Sequence, residues 1–472
     1  MPEIRAHQGP PPMRNSSFSR LLTIVLAGIL HGCAASEISS QTEDPAPPPE
    51  WARGGDEGTV DVNWLDDFGD PRLSSLVSEA VLNNFQLAQE RARVYQAEQS
   101  VLISRSNRLP SLDATVNGSR RAFEDASATG IANDSFSAQV SGRWNVDVWG
   151  QLSAAQKAAE LRLAASLARF EFTERSLAST TASAYFNAIE AKQLLDVAAQ
   201  RRDNAAQSME IVESGYGQGL NEALDLYLAR NQVEREEANY AQAEQNYAET
   251  VAALQLGLAR YPGGTMELPE ELPVIEAVIP AGLPSELLTR RTDLQEAWLN
   301  LLAADSDLAS AHKARFPSLT LSGNYGLVTR ELTDLLAGEG TAWTLAGNVT
   351  QPLFQGGRLR ALEEQARAQL KLAEQQYLDL VYRAFAEVEN AISRSVSLAE
   401  RYQSFLEAEK NSISALQLAT QQYQRGLVPY TTVLESQRQA YDAVTQVVQL
   451  KNLQLQNRIT LFLALGGEFS TP

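Results

Sequence analysis

Few side chains in this sequence are equipped for covalent or metal chemistry. The 472 residues include one cysteine, Cys33, and three histidines, His7, His31 and His312. A lone thiol forms no disulfide within one chain. Zinc sites need clustered Cys or His, and no such cluster is spelled out here. No clustered catalytic groups stand elsewhere, so the reading is of a non-enzyme with no metal and no cofactor. The formal net charge is −19, which speaks against nucleic-acid binding, since that wants a basic stripe. Two glycine-bearing turns stand out, Tyr216-Gly217-Gln218-Gly219-Leu220 and Tyr423-Gln424-Arg425-Gly426-Leu427, which read equally well as plain helix ends and as a surface open to a partner. Glycine lets such a turn close tightly in the left-handed region and leaves its backbone open to a partner.

The two turns are one of three landmarks repeated at a spacing of 207 residues. Arg108-Leu109-Pro110-Ser111-Leu112 returns as Arg315-Phe316-Pro317-Ser318-Leu319, and Gly150-Gln151-Leu152 as Gly357-Arg358-Leu359. A unit this long is a duplicated half-protein rather than a solenoid repeat.

Ahead of the repeats lies a targeting segment. Arg14 and Arg20 precede an apolar run over residues 21–30, too short to span a bilayer as a helix. Leu30-His31-Gly32-Cys33 resembles a bacterial lipoprotein signal, with His31 where a small residue is usual. That resemblance implies a lipidated Cys33 as the first mature residue. Ala34 after it, in place of aspartate, implies sorting to the outer membrane. An ordinary signal peptide with a free thiol stays open, as does a start at Met13.

Residues 34–63 are polar and proline-rich, a tether or an extended wrap. Asp70 and Pro71 are placed as N-cap and first residue of a helix. Its apolar pattern runs unbroken to about Arg105, and Pro110 ends it. Period-two alternation follows. Leu112, Ala114 and Val116 share one face, as do Phe136, Ala138, Val140, Gly142, Trp144 and Val146. The second half repeats it with Leu319, Leu321, Gly323, Tyr325 and Leu327, then Trp343, Leu345, Gly347 and Val349. Strands of about 10 residues with one apolar, aromatic-bearing face suit a transmembrane barrel; alternation alone leaves two soluble hairpins open. From Gly150 to about Ser214, and from Leu359 to Arg425, neither glycine nor proline interrupts the chain. About 65 residues at 1.5 Å each make a helix near 100 Å. Gly217, Gly219, Gly426 and Pro429 break these runs, and return helices follow over about 222–256 and 430–465. Four strands cannot close a barrel, and lipid forbids open edges. Several copies must pool their strands.

These features resemble a TolC-like outer-membrane factor of the lipoprotein type, the exit duct of resistance-nodulation-division (RND) efflux pumps. The residues that carry the likeness are Trp64 with Asp70-Pro71-Arg72-Leu73, the two Pro-Ser strand starts, and residues 280–291, Pro-Ala-Gly-Leu-Pro-Ser-Glu-Leu-Leu-Thr-Arg-Arg. Thr292 stands where the family has proline, and Asp293 is kept. The likeness covers about residues 60–467. It implies a mainly α fold, a homotrimer with a 12-stranded transmembrane β-barrel, and a coiled-coil α-helical barrel of 12 columns in the periplasm. It implies a periplasmic adaptor (membrane fusion protein) and an inner-membrane RND pump as partners, outer-membrane lipid around the strands, and export of small molecules. The duct of a type I protein secretion system shares the fold and stays open as an alternative; a purely structural periplasmic coiled-coil lipoprotein fits the four strands poorly.

By the same resemblance the adaptor meets the tips at Gly217, Gly219 and Leu220 and at Arg425, Gly426 and Leu427. Tyr423, Asp225 and Glu435 match the positions of a closed gate, while Thr432 falls where some members carry aspartate. The expected organisation is a signal peptide over 1–32, an anchored linker over 33–63, a first repeat over 64–257, an inter-repeat linker over 258–284, a second repeat over 285–466 and a tail over 467–472.

Overall fold

In the computed structural model of the chain, residues 47–52, 54, 64–123, 131–274, 282 and 284–467 are described. Cys33 and the targeting segment lie outside them. In chain order the elements are α1 (Pro71–Asn83), α2 (Phe85–Ser106), β1 (Ser111–Phe123), β2 (Ile131–Val146), α3 (Gln151–Gly217), α4 (Ala223–Gly257), α5 (Pro284–Arg290), α6 (Thr292–Lys313), β3 (Ser318–Thr329), α7 (Leu332–Ala337), β4 (Thr341–Thr350), α8 (Arg358–Gln424) and α9 (Tyr430–Ala464). Both ends of α6, α8 and α9 lie 207 residues beyond those of α2, α3 and α4. The long helices α3 and α8 have 67 residues each, about 100 Å of rise.

The N-terminal helical pattern holds one surprise. Asp70 caps α1 as expected, its carboxylate accepting from the Arg72 N–H at 2.9 Å. The run then breaks at Asn84, which the apolar spacing did not reveal because it carries on across the break. Asn84 takes an extended backbone (ψ 130°), and its Oδ1 accepts from the N–H groups of Gln86 and Leu87. A short polar side chain that competes with the helix backbone is suited to this place.

That side chain also joins two helices. Its Nδ2 donates to the carbonyl of Gly257 at 3.0 Å, so the end of α4 meets the start of α2. At the repeat-equivalent junction, Arg291 donates to the carbonyl of Ala464 at 3.4 Å, where α9 meets α6. Arg291 is buried and is held by Asp293 (3.0 and 2.7 Å) and Glu387 (2.6 Å). Burial opposes its charge, but Asp293 and Glu387 overcome this and raise its pKa. Arg291 caps α6, which puts Thr292 at the first helical position. Proline is tolerated there but not required, so the departure from the family motif leaves the helix intact.

The helices therefore form four columns. Toward the glycine turns α3 lies between α4 and α9; toward the sheet it lies between α2 and α6, and α8 packs on α9 and α6. An apolar band girdles the middle. Trp51, Trp64, Phe68, Leu73 and Val77 from the N-terminal segment pack on Tyr185, Phe186 and Ile189 of α3, Val381 and Val388 of α8, and Phe462 of α9. Trp64 stacks on Phe462 with centroids 5.6 Å apart.

At the far end the four strands form one antiparallel sheet in the order β1-β2-β3-β4. The strands run 13, 16, 12 and 10 residues, three of them longer than the predicted length. The short helix α7 between β3 and β4 was not foreseen. Registry keeps like residues together in the central rows. Ala114, Val140, Tyr325 and Trp343 form one cross-strand row; Asp113, Ser141, Asn324 and Thr344 form the next row on the opposite face. Leu112, Tyr325, Trp343 and Leu345 are all exposed, an apolar face with no cover among the described residues. Carbonyls just beyond the ends of α2 and α6 are met from in or beside the sheet. Trp144 Nε1 donates to the Arg108 carbonyl at 2.9 Å, and Gln351, 207 residues on, donates to that of Arg315 at 3.1 Å. Among the described residues no helix is long and apolar enough to cross a membrane.

Candidate functional site

The end of the molecule remote from the sheet consists of two helix-turn-helix tips. In the first, α3 closes at Gly217, Gln218 caps it, and Gly219 turns left-handed with φ +75°. The N–H of Leu220 reaches the Gly215 carbonyl at 2.8 Å, and that of Gly219 reaches Tyr216 at 3.0 Å. In the second, Arg425 caps α8 and Gly426 has φ +69°. Leu427 N–H bonds the Gln422 carbonyl at 2.9 Å and Gly426 N–H that of Tyr423 at 2.8 Å. Both are Schellman caps, which need a residue free to adopt positive φ.

In such a cap the residue after the glycine commonly packs back on its helix. Here Leu220 and Leu427 instead stand 76% and 68% exposed. Two leucines thus project from the tips beside open backbone and the exposed Arg425. Gly217 proves to be the last helical residue and not part of the turn; a Cβ there would meet nothing. Sequence reasoning passed over Gly215. A Cβ on it would fall 2.2 Å from Asn221 Nδ2, which itself donates to the Val212 carbonyl. The signal was the Asn221 side chain folding back across the helix end, which no spacing rule reveals.

The two hairpins are packed together just above the tips. Val212, Leu226 and Ala229 of the first meet Tyr430 and Val433 of the second, with Tyr423 at the border. The Tyr423 and Tyr430 rings lie 5.4 Å apart. Burial raises the Tyr423 hydroxyl, and the nearby Asp225 charge adds to it. Burial, then Tyr423 and Asp225, push Tyr430 up to about 12. The Asp225 carboxyl is itself raised, by burial and then by the Glu222 charge. The structure thus brings Tyr423 and Asp225 together across the hairpins. It does not bring Glu435 to them. Glu435 is exposed and tied along its own helix to Arg438 (2.6 and 3.0 Å) and Gln439 (2.8 Å), bonds that lower its pKa.

The model of one protein family, described as outer membrane efflux protein, matches residues 76–260 and again 283–467, two segments 207 apart. The chain belongs to the outer membrane efflux protein family. Its relatives are similar along nearly their whole length. The pyoverdine export outer membrane protein OpmQ of Pseudomonas aeruginosa is 31% identical, covering 94% of this chain and 96% of its own. The toluene efflux pump outer membrane protein TtgF of Pseudomonas putida is 29% identical, with coverages of 94% and 96%. A crystal structure of a membrane protein from Pseudomonas aeruginosa superposes with a TM-score of 0.84 at 26% identity, covering 92% of this chain and 98% of that one. As an outer membrane efflux protein, the chain sets its sheet in the outer membrane and extends its helices into the periplasm, with the tips farthest from the bilayer.

Asp225 generates a pH prediction. Its raised pKa means that packing of the tips favours the protonated acid. That stability is fully present below the unfolded carboxyl pKa and is lost as pH rises through the raised folded value. Spin labels on Gln218 and Gln424 report the separation of the two tips. The distance distribution is expected to broaden with rising pH in the native protein and to stay narrow in Asp225→Asn. An identical pH response in both proteins would show that Asp225 has no part in it.

Proposed function

We propose that three copies of the chain build one duct, the outer-membrane exit of a tripartite efflux pump that expels small molecules such as drugs or other toxic compounds. The observation that carries this reading is the four-stranded sheet whose apolar face and two edges are uncovered among the described residues, joined to helices of about 100 Å. Twelve strands from three sheets close the barrel, and four helical columns from each copy surround a periplasmic tunnel. Pyoverdine and toluene, named in the relatives' descriptions, are both small molecules. The duct performs no catalysis; an inner-membrane RND pump supplies the energy.

A periplasmic adaptor docks on the tips. Leu220 and Leu427 supply apolar contact, Arg425 supplies charge, and Gly219 and Gly426 keep the backbone approachable, with Gly217 lying in the turn of helix just above. Tyr423 and Asp225 act in the closed gate at the inter-hairpin contact, and Glu435 lies farther along the return helix. Cys33 carries the lipid anchor once residues 1–32 are removed, residues 33–63 tether it, the two repeats span 64–257 and 285–466, and 258–284 join them. Labelling with radioactive palmitate is expected for the native chain and absent in Cys33→Ser; equal labelling would remove the anchor from this account.

The tips give the sharper test. At φ +69° a valine in place of Gly426 is strained by about 1–3 kcal/mol, and nothing lies within 4 Å to be displaced. The barrel is about 100 Å away. Gly426→Val is therefore expected to leave trimer abundance near normal while weakening adaptor cross-linking and dye efflux. Gly219→Val is expected to match it, since Gly217 adds no second flexible point. Normal cross-linking and efflux at normal trimer abundance would exclude the tips as the docking site.

A further inference from the structure

Beside the apolar band, a cavity of about 600 Å³ opens between α2, α3, α6 and α8. We propose that it is a binding subsite, on the inner wall of the duct, for a small organic cation with an apolar body, and that Glu296 is the anion that holds the charged head. This rests on the duct proposed above and adds a contact for its cargo.

Two helices show which face the cavity opens on. Phe68 and Asp70 of the N-terminal segment meet α3 at Phe186, with ring centroids 5.0 Å apart, and at the Tyr185 hydroxyl, 2.5 Å away. Ser176 and Thr180, which line the cavity, lie on the opposite side of that helix at about 3.6 residues per turn. On α8, Phe385 meets Trp51 at 6.3 Å and Glu389 accepts from the Ala52 N–H at 2.6 Å. Gln376 and Arg383, in the cavity wall, again fall on the far side. The cavity therefore faces away from the N-terminal segment. The four helices that form it are successive neighbours in one wall, so it marks the concave side of that wall. A ring of such walls closes with the concave side inward, and the cavity looks into the tunnel.

Small-molecule sites are concave and mostly apolar, with a few convergent polar groups and volumes of roughly 300–1,000 Å³. Here Leu177, Ala297 and Leu380, which pack on the apolar band, supply apolar surface together with Phe172. An aromatic ring also attracts cations. Among the described residues the lining carries four carboxylates, Glu90, Asp293, Glu296 and Asp379, against two guanidiniums, Arg169 and Arg383. Three of the acids are matched. Asp379 pairs with Arg383 at 2.8 Å and Asp293 with Arg291 at 2.7 Å, while Glu90, only 4% exposed, pairs with both Arg93 and Arg169. Glu296 is left a share of Arg169, which lies 3.6 Å from it and 3.3 Å from Glu90. Burial raises the Glu296 pKa, Arg169 counters this, and the charges of Asp293 and Glu90 add to it. A bound cation supplies the partner that the surrounding side chains give only in part. The fold itself does not require an acid here, since the counterpart 207 residues earlier is Gln89.

Ethidium, a planar organic cation, is a suitable probe, read by its fluorescence anisotropy with the full-length protein in detergent and empty micelles subtracted. The native protein is expected to bind it. Glu296→Gln, which gives α6 the amide that α2 carries at Gln89, is expected to weaken binding at least about tenfold. Asn300→Trp fills the cavity from an exposed position and is expected to weaken it as much. Glu244→Gln, which removes an exposed acid of α4 outside the cavity, is expected to bind as the native protein does. Melting temperature and copy number by mass, measured on each variant, are expected to match the native values. Native affinity in Glu296→Gln or Asn300→Trp overturns the subsite, as does a native protein that binds no ethidium. An equal loss in Glu244→Gln overturns it too, because the dye is then gathered by the overall negative charge. With three copies by mass, each of these results leaves the duct standing. A single copy by mass removes the duct, and with it the subsite's place on its wall.

Discussion

A strand edge exposes backbone N–H and C=O groups, and hydrocarbon offers them no partner. Each unsatisfied group costs several kcal/mol in a membrane interior. This constraint governs the rest of the molecule. The sheet is ordered β1 to β4 with no pairing beyond either end among the described residues, so the chain is incomplete in lipid by itself. Its apolar face runs across all four strands in the rows of Leu112 and Ala114. A sheet finished on its face and unfinished at its edges is built to be joined to others like it.

The helical part answers a different demand, reach. Two unbroken helices run from the sheet to the tips, and the shorter ones must be stacked end to end to keep pace with them. Helix ends carry unsatisfied groups, and the two stacking points solve the problem with different residues. Asn84 joins its two helices with one amide and caps α2 with the same side chain. Arg291 uses a buried guanidinium fixed by two acids. A cation suits the negative end of α9, but the arrangement is costly to disturb, because removing the arginine leaves the largely buried Asp293 without its partner. The halves share a plan without sharing strength at this joint.

Much of this was legible in the residues. The 207-residue spacing located every pair of long helices, and alternation at Val140 or Tyr325 assigned the faces of the strands. Local rules gave the Asp70 cap and the left-handed glycines at 219 and 426. What was not legible depends on contacts between distant segments. Asn84 looks like an ordinary helix residue until Gly257 is placed beside it. Ala259 turns left-handed with φ +56°, where its equivalent is Gly466; no glycine marked the first turn. At the tips, position alone grouped Glu435 with Tyr423 and Asp225, yet Arg438 one turn along claims its carboxylate. Helical spacing makes that neighbour available, and only the packed helix shows it taken up.

The central claim is that the sheet exists in the membrane only as part of a closed, shared barrel. Native mass spectrometry of the full-length protein extracted from outer membranes measures this directly, by counting copies. Three copies are predicted, and the heat that separates them should abolish the β-sheet signal in the same transition. A single copy that stays inserted in the outer membrane with its sheet intact would contradict the account.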